Sequence, residues 1–136
     1  FRTVDVLSSA WWPTFLDDEY DRVFLVGVFG RKEALMGEQD RFFLNALDQA
    51  FTHCRRSCSI TIQSSYKMTP NEKEAVFDPD WTFRMAKRLT ERVVLDHSYA
   101  PHDFTLTLWK EPSPFRQLWD ATGGWDPITG EERRKT

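Results

Sequence analysis

Two pairs of side chains in this chain have the spacing of metal ligands. Cys54 and Cys58 are separated by three residues, and His97 and His102 are separated by four. Both spacings fall within the range that structural zinc sites use. The long stretch between the two pairs is untypical of a compact zinc finger, and Cys54 also fits an apolar helical stripe as a small buried hydrophobe. The sequence therefore predicts no metal ligands, although zinc stays an open alternative.

A second candidate is a row of basic residues between positions 84 and 92. These residues recur at i, i+3, i+4 and i+8, so a continuous helix would present them on one face. Such a row can neutralise phosphates along a nucleic-acid backbone, whereas the alternative is an ordinary solvated surface. The predicted DNA-binding residues are Arg84, Lys87, Arg88 and Arg92.

A third candidate is a group of aromatic side chains in the last third of the chain. Large aromatic side chains often anchor protein partners or stack on bases, but an aromatic-rich chain must also bury most of them in its core. Aromatic residues make up 15% of this chain, so both interpretations, a binding surface and a part of the core, stay open. The predicted partner-binding residues are Trp109, Phe115, Trp119 and Trp125.

Catalytic signatures are weak throughout. Asp96 precedes His97 and Asp103 follows His102, but neighbouring side chains rarely point at the same place. The sequence has neither a nucleophile-elbow pattern nor a glycine-rich phosphate loop. No set of nucleophile, base and orienting group can be assembled. We therefore predict a chain that is not an enzyme, with no catalytic residues, no cofactor and no small-molecule substrate.

The length, net charge and cysteine count limit the number of domains, the class of partner and the compartment. A chain of 136 residues fits one domain, predicted over residues 1–122, with a polar and mobile tail over 123–136. The net charge of −3 disfavours a non-specific DNA binder and suits a basic partner such as a histone tail. Two cysteines suit a reducing, intracellular compartment, and no apolar run approaches the ~20 residues of a membrane span.

Periodicity and capping residues predict a mainly α fold of four to five helices. Two segments with alternating, β-branched character add a short two-stranded β element over 59–64 and 104–109, and an α+β fold is the alternative. Acidic residues before a dense apolar run place the first helix. The predicted helices cover approximately residues 17–31, 38–55, 69–76, 79–96 and 115–119.

The chain passes from Trp12 through an acidic stretch into the apolar segment 21–29. This order resembles the opening of SANT- and SLIDE-type Myb-like modules, which occur in the chromodomain-helicase-DNA-binding remodelling ATPases. The segment 40–44 is similar to a later part of the same family, so the resemblance covers about residues 11–44. It implies a three-helix domain of a nuclear chromatin protein without catalytic activity. The core positions that it implies are Trp12, Phe24, Leu25 and Val28.

Together these features predict a non-catalytic chromatin-associated module that contacts DNA or histone tails in the nucleus. The first alternative is a protein-interaction or scaffold domain that uses an acidic, Trp-rich surface, and a cytoplasmic location is the alternative to the nucleus. The second alternative is a small zinc protein or enzyme. In every case we expect a DNA or protein partner and no membrane.

Overall fold

A computed structural model describes residues 20–30, 38–69 and 71–123 of the chain. These ranges contain four strands and three helices. In chain order they are β1 (Tyr20–Val26), α1 (Gln39–His53), β2 (Cys54–Gln63), α2 (Pro79–Lys87), β3 (Arg92–Asp96), β4 (Asp103–Trp109) and α3 (Pro114–Thr122).

The four described strands form one mixed sheet in the order β1-β2-β4-β3. β1 and β2 are parallel, and α1 connects them, which is the usual way to join parallel neighbours. β4 is antiparallel to both β2 and β3. The strands β1, β2 and β3 therefore run in the same direction, and β4 runs against them.

One face of the sheet carries the hydrophobic core. Burial alternates along β4 and, from Cys58 onward, along β2, which is the period of two expected for a strand with one covered face. The buried sides of α1 and α2 join the same cluster. Its central members are Phe43, Leu47, Ala50, Ile60, Ile62, Ala86, Phe104, Leu106 and Leu108.

Capping chemistry fixes the start of α2. Asp78 Oδ1 accepts a hydrogen bond from the Asp80 N–H at 2.9 Å, and Pro79 occupies the first turn, where its missing N–H costs nothing. The helix then ends at Lys87. The β-branched and apolar residues that follow pair with β4 as strand β3, so the predicted helix over 79–96 is wrong beyond residue 87.

The predicted mainly α fold class is also wrong, because the described residues form three helices and a mixed four-stranded sheet, an α+β fold, which was the alternative. The largest error is the helix over 17–31: residues 20–26 form β1, and Gly27 ends it with a φ of 72°. The described residues 71–76 form no helix. The helix predicted over 38–55 corresponds to α1, and the two alternating segments do pair.

The structure tests only part of the predictions about membrane association and domain boundaries. The described part contains no helix that is both long enough and apolar enough to cross a membrane. The proposed tail beginning at residue 123 lies almost entirely outside the described residues, so the domain boundary stays a prediction.

Candidate functional site

The carboxyl ends of β1, β2 and β3 lie at one edge of the sheet, together with the start of β4. In open α/β sheets, ligands bind in the crevice outside the carboxyl ends of the strands. At this edge the chain places Gln63, Ser64, Tyr66, His97 and the turn over residues 27–30, and we call this group the carboxyl-edge site.

Ser64 and His97 form the most constrained contact of the carboxyl-edge site. Ser64 is 0% exposed, and its Oγ lies 2.8 Å from His97 Nε2. The same Oγ accepts a hydrogen bond from the Tyr66 N–H at 3.1 Å. The His97 ring also stacks on Phe104, with 5.8 Å between ring centroids and 16° between planes. The imidazole is therefore held in position from two sides.

This arrangement leaves one imidazole nitrogen for a ligand. Among the described residues, His97 Nδ1 has no hydrogen-bond partner, whereas Nε2 is engaged by Ser64. If Nε2 carries the proton and donates to Ser64, then Nδ1 is an unprotonated base. If Ser64 donates to Nε2, then Nδ1–H is a donor. In both tautomers Nδ1 is the chemically available atom.

A serine beside a histidine is also the arrangement of a nucleophile and its base, but burial argues against that role here. The Ser64 hydroxyl is fully buried, so a substrate carbonyl has no access to it. Asp96 does not orient the neighbouring imidazole, because it accepts hydrogen bonds from the Ser98 hydroxyl and N–H. Those bonds lower the pKa of the Asp96 carboxyl. Ser64 therefore positions His97.

Gln63 contributes an unpaired acceptor to the same site. Its Oε1 is buried and has no hydrogen-bond partner among the described residues, a state that costs about 1–3 kcal/mol. Its Nε2 would lie 3.9 Å from a Cβ at Gly30. Gly27 has a left-handed backbone, and no atom of the described part of the chain lies within 4 Å of where its Cβ would be. The turn after β1 therefore exposes its backbone beside an amide oxygen that lacks a donor.

Aromatic packing anchors the turn over residues 27–30 to the hydrophobic core. Phe29 is 2% exposed, and its ring contacts Phe42, Phe43 and Phe77 at centroid distances of 5.6, 5.7 and 6.0 Å. The Ala75 N–H also donates to the carbonyl of Gly30 at 3.4 Å. Burial of the Phe29 ring anchors the turn while the glycines let it bend.

The structure separates the two pairs considered as zinc ligands. His97 and His102 lie at the carboxyl edge, whereas Cys54 begins β2 at the opposite end and Cys58 lies within that strand. Both thiols are buried, and hydrogen bonding to Cys54 together with burial raises the pKa of Cys58. No group of three or more His, Cys, Asp or Glu side chains in the described part could hold a metal ion.

The predicted DNA-binding residues do not share one helix. Arg84 and Lys87 are exposed on α2, and Arg88 caps its end. Arg92 lies on β3, because the helix stops before it. A single basic helix face over all four residues is therefore wrong, and DNA contact by these side chains stays a prediction.

The predicted aromatic set is also divided. Trp109 ends β4, whereas Phe115 and Trp119 lie on α3 with their ring centroids 5.5 Å apart. Phe115 is 64% exposed, and Trp125 lies outside the described residues. Instead of joining the other aromatic residues, Trp109 contacts Arg92 from the basic set, whose Cζ lies 4.6 Å from the indole centroid.

Together, the sheet and the carboxyl-edge site define an α+β domain with a candidate small-molecule site. No protein-family model matches the chain, and no curated protein matches its sequence. The fold is similar to the crystal structure of magnesium protoporphyrin IX methyltransferase (ChlM) from Synechocystis PCC 6803 with bound SAH, with a TM-score of 0.51 and 11% identity. The match covers 82% of this chain and 51% of that protein, so the chain spans about half its length.

This similarity concerns the fold and corrects the sequence-based predictions. The SANT/SLIDE resemblance is wrong, because Phe24 and Leu25 belong to a strand and not to a Myb helix. The chromatin-module function depended on that helix packing and is wrong with it. The predictions of no enzyme and no small-molecule substrate are contradicted by a fold shared with a methyltransferase that holds a bound small molecule. The nuclear location stays untested.

Proposed function

We propose that this chain is a methyltransferase-type α/β domain that binds a small molecule at the carboxyl-edge site and accepts a proton from it at His97. The observation that supports this most directly is the imidazole fixed by the buried Ser64 hydroxyl at the edge where α/β sheets bind ligands. The methyltransferase fold of a solved structure supports the reaction class.

A methyltransferase of this type uses S-adenosylmethionine, which supplies an electrophilic methyl group when bound. The carboxyl-edge site fits part of such a molecule. Among the described residues Gln63 Oε1 is a buried acceptor without a donor, and rotation of this partly exposed side chain would turn it toward a ligand amino group. Gly27 is exposed, and no described atom lies within 4 Å of its Cβ position, so a ligand can approach the backbone there closely. Gln63 and the turn over 27–30 would therefore hold the cofactor.

The second part of the proposal concerns the acceptor molecule. A hydroxyl or amine that gains a methyl group must lose a proton, and a positioned histidine is the commonest group to accept one. His97 Nδ1 is available for this, because Ser64 engages only Nε2. Tyr66 is 62% exposed, and its ring centroid lies 6.1 Å from that of His97. An aromatic or apolar acceptor would pack on this tyrosine.

Titration of the chain with S-adenosylhomocysteine, followed by ¹H–¹⁵N NMR, tests the cofactor part. We expect saturable shifts in residues 27–30 and 63–66. Gln63→Leu should weaken binding about tenfold or more, because it removes the unpaired acceptor. Gln117→Leu is the matched control, since this exposed side chain bonds only to the Pro112 carbonyl. Absence of shifts at millimolar ligand, or equal affinity of both variants, would overturn the cofactor part.

Radiolabelled methyl transfer to a panel of small phenols, alcohols and amines tests the role of His97. His97→Gln should lower transfer by about 10²–10⁴-fold while S-adenosylhomocysteine affinity stays unchanged. His102→Gln is the control at the same edge, because that half-exposed ring faces Asp103 at 3.5 Å instead of Ser64. Transfer that is absent in the wild type, or equal in the two variants, would contradict the proton-acceptor role.

A further inference from the structure

One row of residues crosses all four strands at the end of the sheet opposite to the carboxyl-edge site. Arg22 of β1 is paired in register with Ser57 of β2, Ser57 is paired with Trp109 of β4, and Trp109 is paired with Arg92 of β3. Because residues paired in register point to the same face of a sheet, these four side chains share one face.

That face is the one opposite to α1 and α2. The next row of the sheet contains Val23, Cys58, Leu108 and Val93, which either belong to the core or pack against it. Since side chains alternate between faces, the row with Arg22 and Arg92 points away from the core.

The indole ring of Trp109 makes cation–π contacts with the guanidinium groups of both Arg22 and Arg92. Arg22 Cζ lies 5.3 Å and Arg92 Cζ lies 4.6 Å from the centroid of the indole ring. Stacking on an aromatic face leaves the N–H edges of a guanidinium free for other partners. The intervening residue, Ser57, is small and buried, so it leaves room for the indole to extend across β2. Two arginines from distant parts of the chain therefore meet at one ring.

Hydrogen bonds of the Thr90 side chain hold β3 and β4 together at this end of the sheet. The Thr90 hydroxyl donates to the Trp109 carbonyl at 2.7 Å and accepts from the Arg92 N–H at 3.3 Å. Thr90 therefore joins the beginning of β3 to the end of β4. The positions of Arg92 and Trp109 are set before any ligand arrives.

Neither arginine of this row forms an ion pair with a carboxylate in the described part of the chain. The nearby carboxylates are engaged elsewhere: Asp21 with Arg55 at 3.8 Å and Glu111 with Arg56 at 3.5 Å. Glu91 pairs with Arg116. Two guanidinium groups without a carboxylate partner, both beside one ring, concentrate positive charge that a bound anion would neutralise.

We propose that Arg22, Arg92 and Trp109 form a site for the phosphate group of a small molecule. Guanidinium groups match phosphate oxygens with paired, charge-assisted hydrogen bonds, and two of them lie within 5.3 Å of one indole centroid here. This arginine–tryptophan site lies at the opposite end of the sheet from Ser64 and His97, so it is separate from the proposed function and does not depend on it.

The experiment follows the Trp109 indole N–H by NMR while the full chain is titrated with inorganic phosphate or phenyl phosphate. Parallel titrations with sodium chloride at matched ionic strength remove the effect of screening, and Trp109→Phe assigns the signal. We expect a saturable shift with at least one phosphate probe and none with chloride. A stronger response to phenyl phosphate than to inorganic phosphate would identify an aromatic phosphate as the better ligand.

Charge-removing variants complete the test. Arg22→Gln and Arg92→Gln should each weaken phosphate binding about tenfold, whereas Arg84→Gln, an exposed arginine on α2, should leave it unchanged. Arg22 is exposed on an edge strand, so its variant keeps the test valid if the Arg92 variant unfolds. A shift that neither phosphate probe saturates, or equal binding in Arg22→Gln and Arg84→Gln, would overturn the proposal.

Discussion

The Ser64→Ala substitution tests most directly whether the buried hydroxyl organises the carboxyl-edge site. It removes one oxygen from a fully buried position and leaves the main chain intact, since the Ser64 N–H still donates to the His102 carbonyl. The hydroxyl makes two hydrogen bonds, to the Tyr66 N–H and to His97 Nε2. At about 0.5–1.5 kcal/mol for each bond, the free energy of unfolding should fall by about 1–3 kcal/mol.

Urea unfolding followed by tryptophan fluorescence measures this loss. The midpoint should fall while the slope of unfolding free energy against urea stays constant, because no buried area changes. Ser65→Ala is the matched control, since the Ser65 side chain is exposed, and its effect should stay within about 0.5 kcal/mol.

A double-mutant cycle with His97→Phe isolates the contact between Ser64 and His97. The phenyl ring keeps the stacking on Phe104 but cannot bond to a hydroxyl. The two substitutions should therefore couple by about 0.5–1.5 kcal/mol. A loss for Ser64→Ala equal to that of Ser65→Ala, or a coupling energy near zero, would refute the reasoning that this hydrogen bond holds the imidazole.

Three further predictions concern the core and the ion pairs. Cys58 should resist modification by Ellman's reagent at about pH 8 at least tenfold more than in urea, because its hydrogen bond to Cys54 and its burial raise the pKa of the thiol. Glu74 has a pKa lowered by its hydrogen bond from Lys67, so its stabilising contribution is present above its ordinary pKa and disappears as pH falls through the lowered value. The wild type should therefore lose more stability than Glu74→Gln between about pH 6 and about pH 3 in urea unfolding. Ile60→Ala should reduce the unfolding free energy by about 2–5 kcal/mol in the same assay, because Ile60 is 0% exposed at the centre of the sheet.

Each of these predictions has a result that would contradict it. Rapid labelling of native Cys58 would show that the thiol is accessible. Parallel pH profiles for the wild type and Glu74→Gln would show that the ion pair with Lys67 contributes nothing. Val94→Ala, at a residue 51% exposed on β3, is the control for Ile60→Ala, and equal losses would contradict the placement of the core.

Local patterns in the sequence predicted the elements whose periodicity is unambiguous. The spacing of Phe43, Leu47 and Ala50 predicted α1, and strict alternation over residues 103–109 predicted β4. The errors fall on short apolar runs. Val23–Val26 and residues 93–95 are compatible with either a strand or a buried helical turn, because periodicity alone does not separate the two over so few residues. Pairing with β2 and β4 decided in favour of strands.

The candidate site was only partly visible in the sequence. The sequence marks His97 and His102 as candidate zinc ligands together with two cysteines that lie elsewhere, and as histidines beside Asp96 and Asp103 that complete no catalytic set. Gln63 and Ser64 gave no signal, because a glutamine and a serine after a β-branched run are ordinary. The one available clue was the run over 23–26 followed by Gly27, which is typical of a strand entering a tight turn.

The sequence by itself determined the amphipathic helix α1, the alternating strand β4 and the capped start of α2, because these depend on neighbouring residues and on the chain's own backbone hydrogen bonds. Only the tertiary structure decided that β1 pairs with β2, and that His97 meets Ser64 across 33 positions of the chain. It likewise brought Arg22 and Arg92 to one indole ring. Such contacts depend on strand order and register, which long-range burial selects and local pattern does not encode.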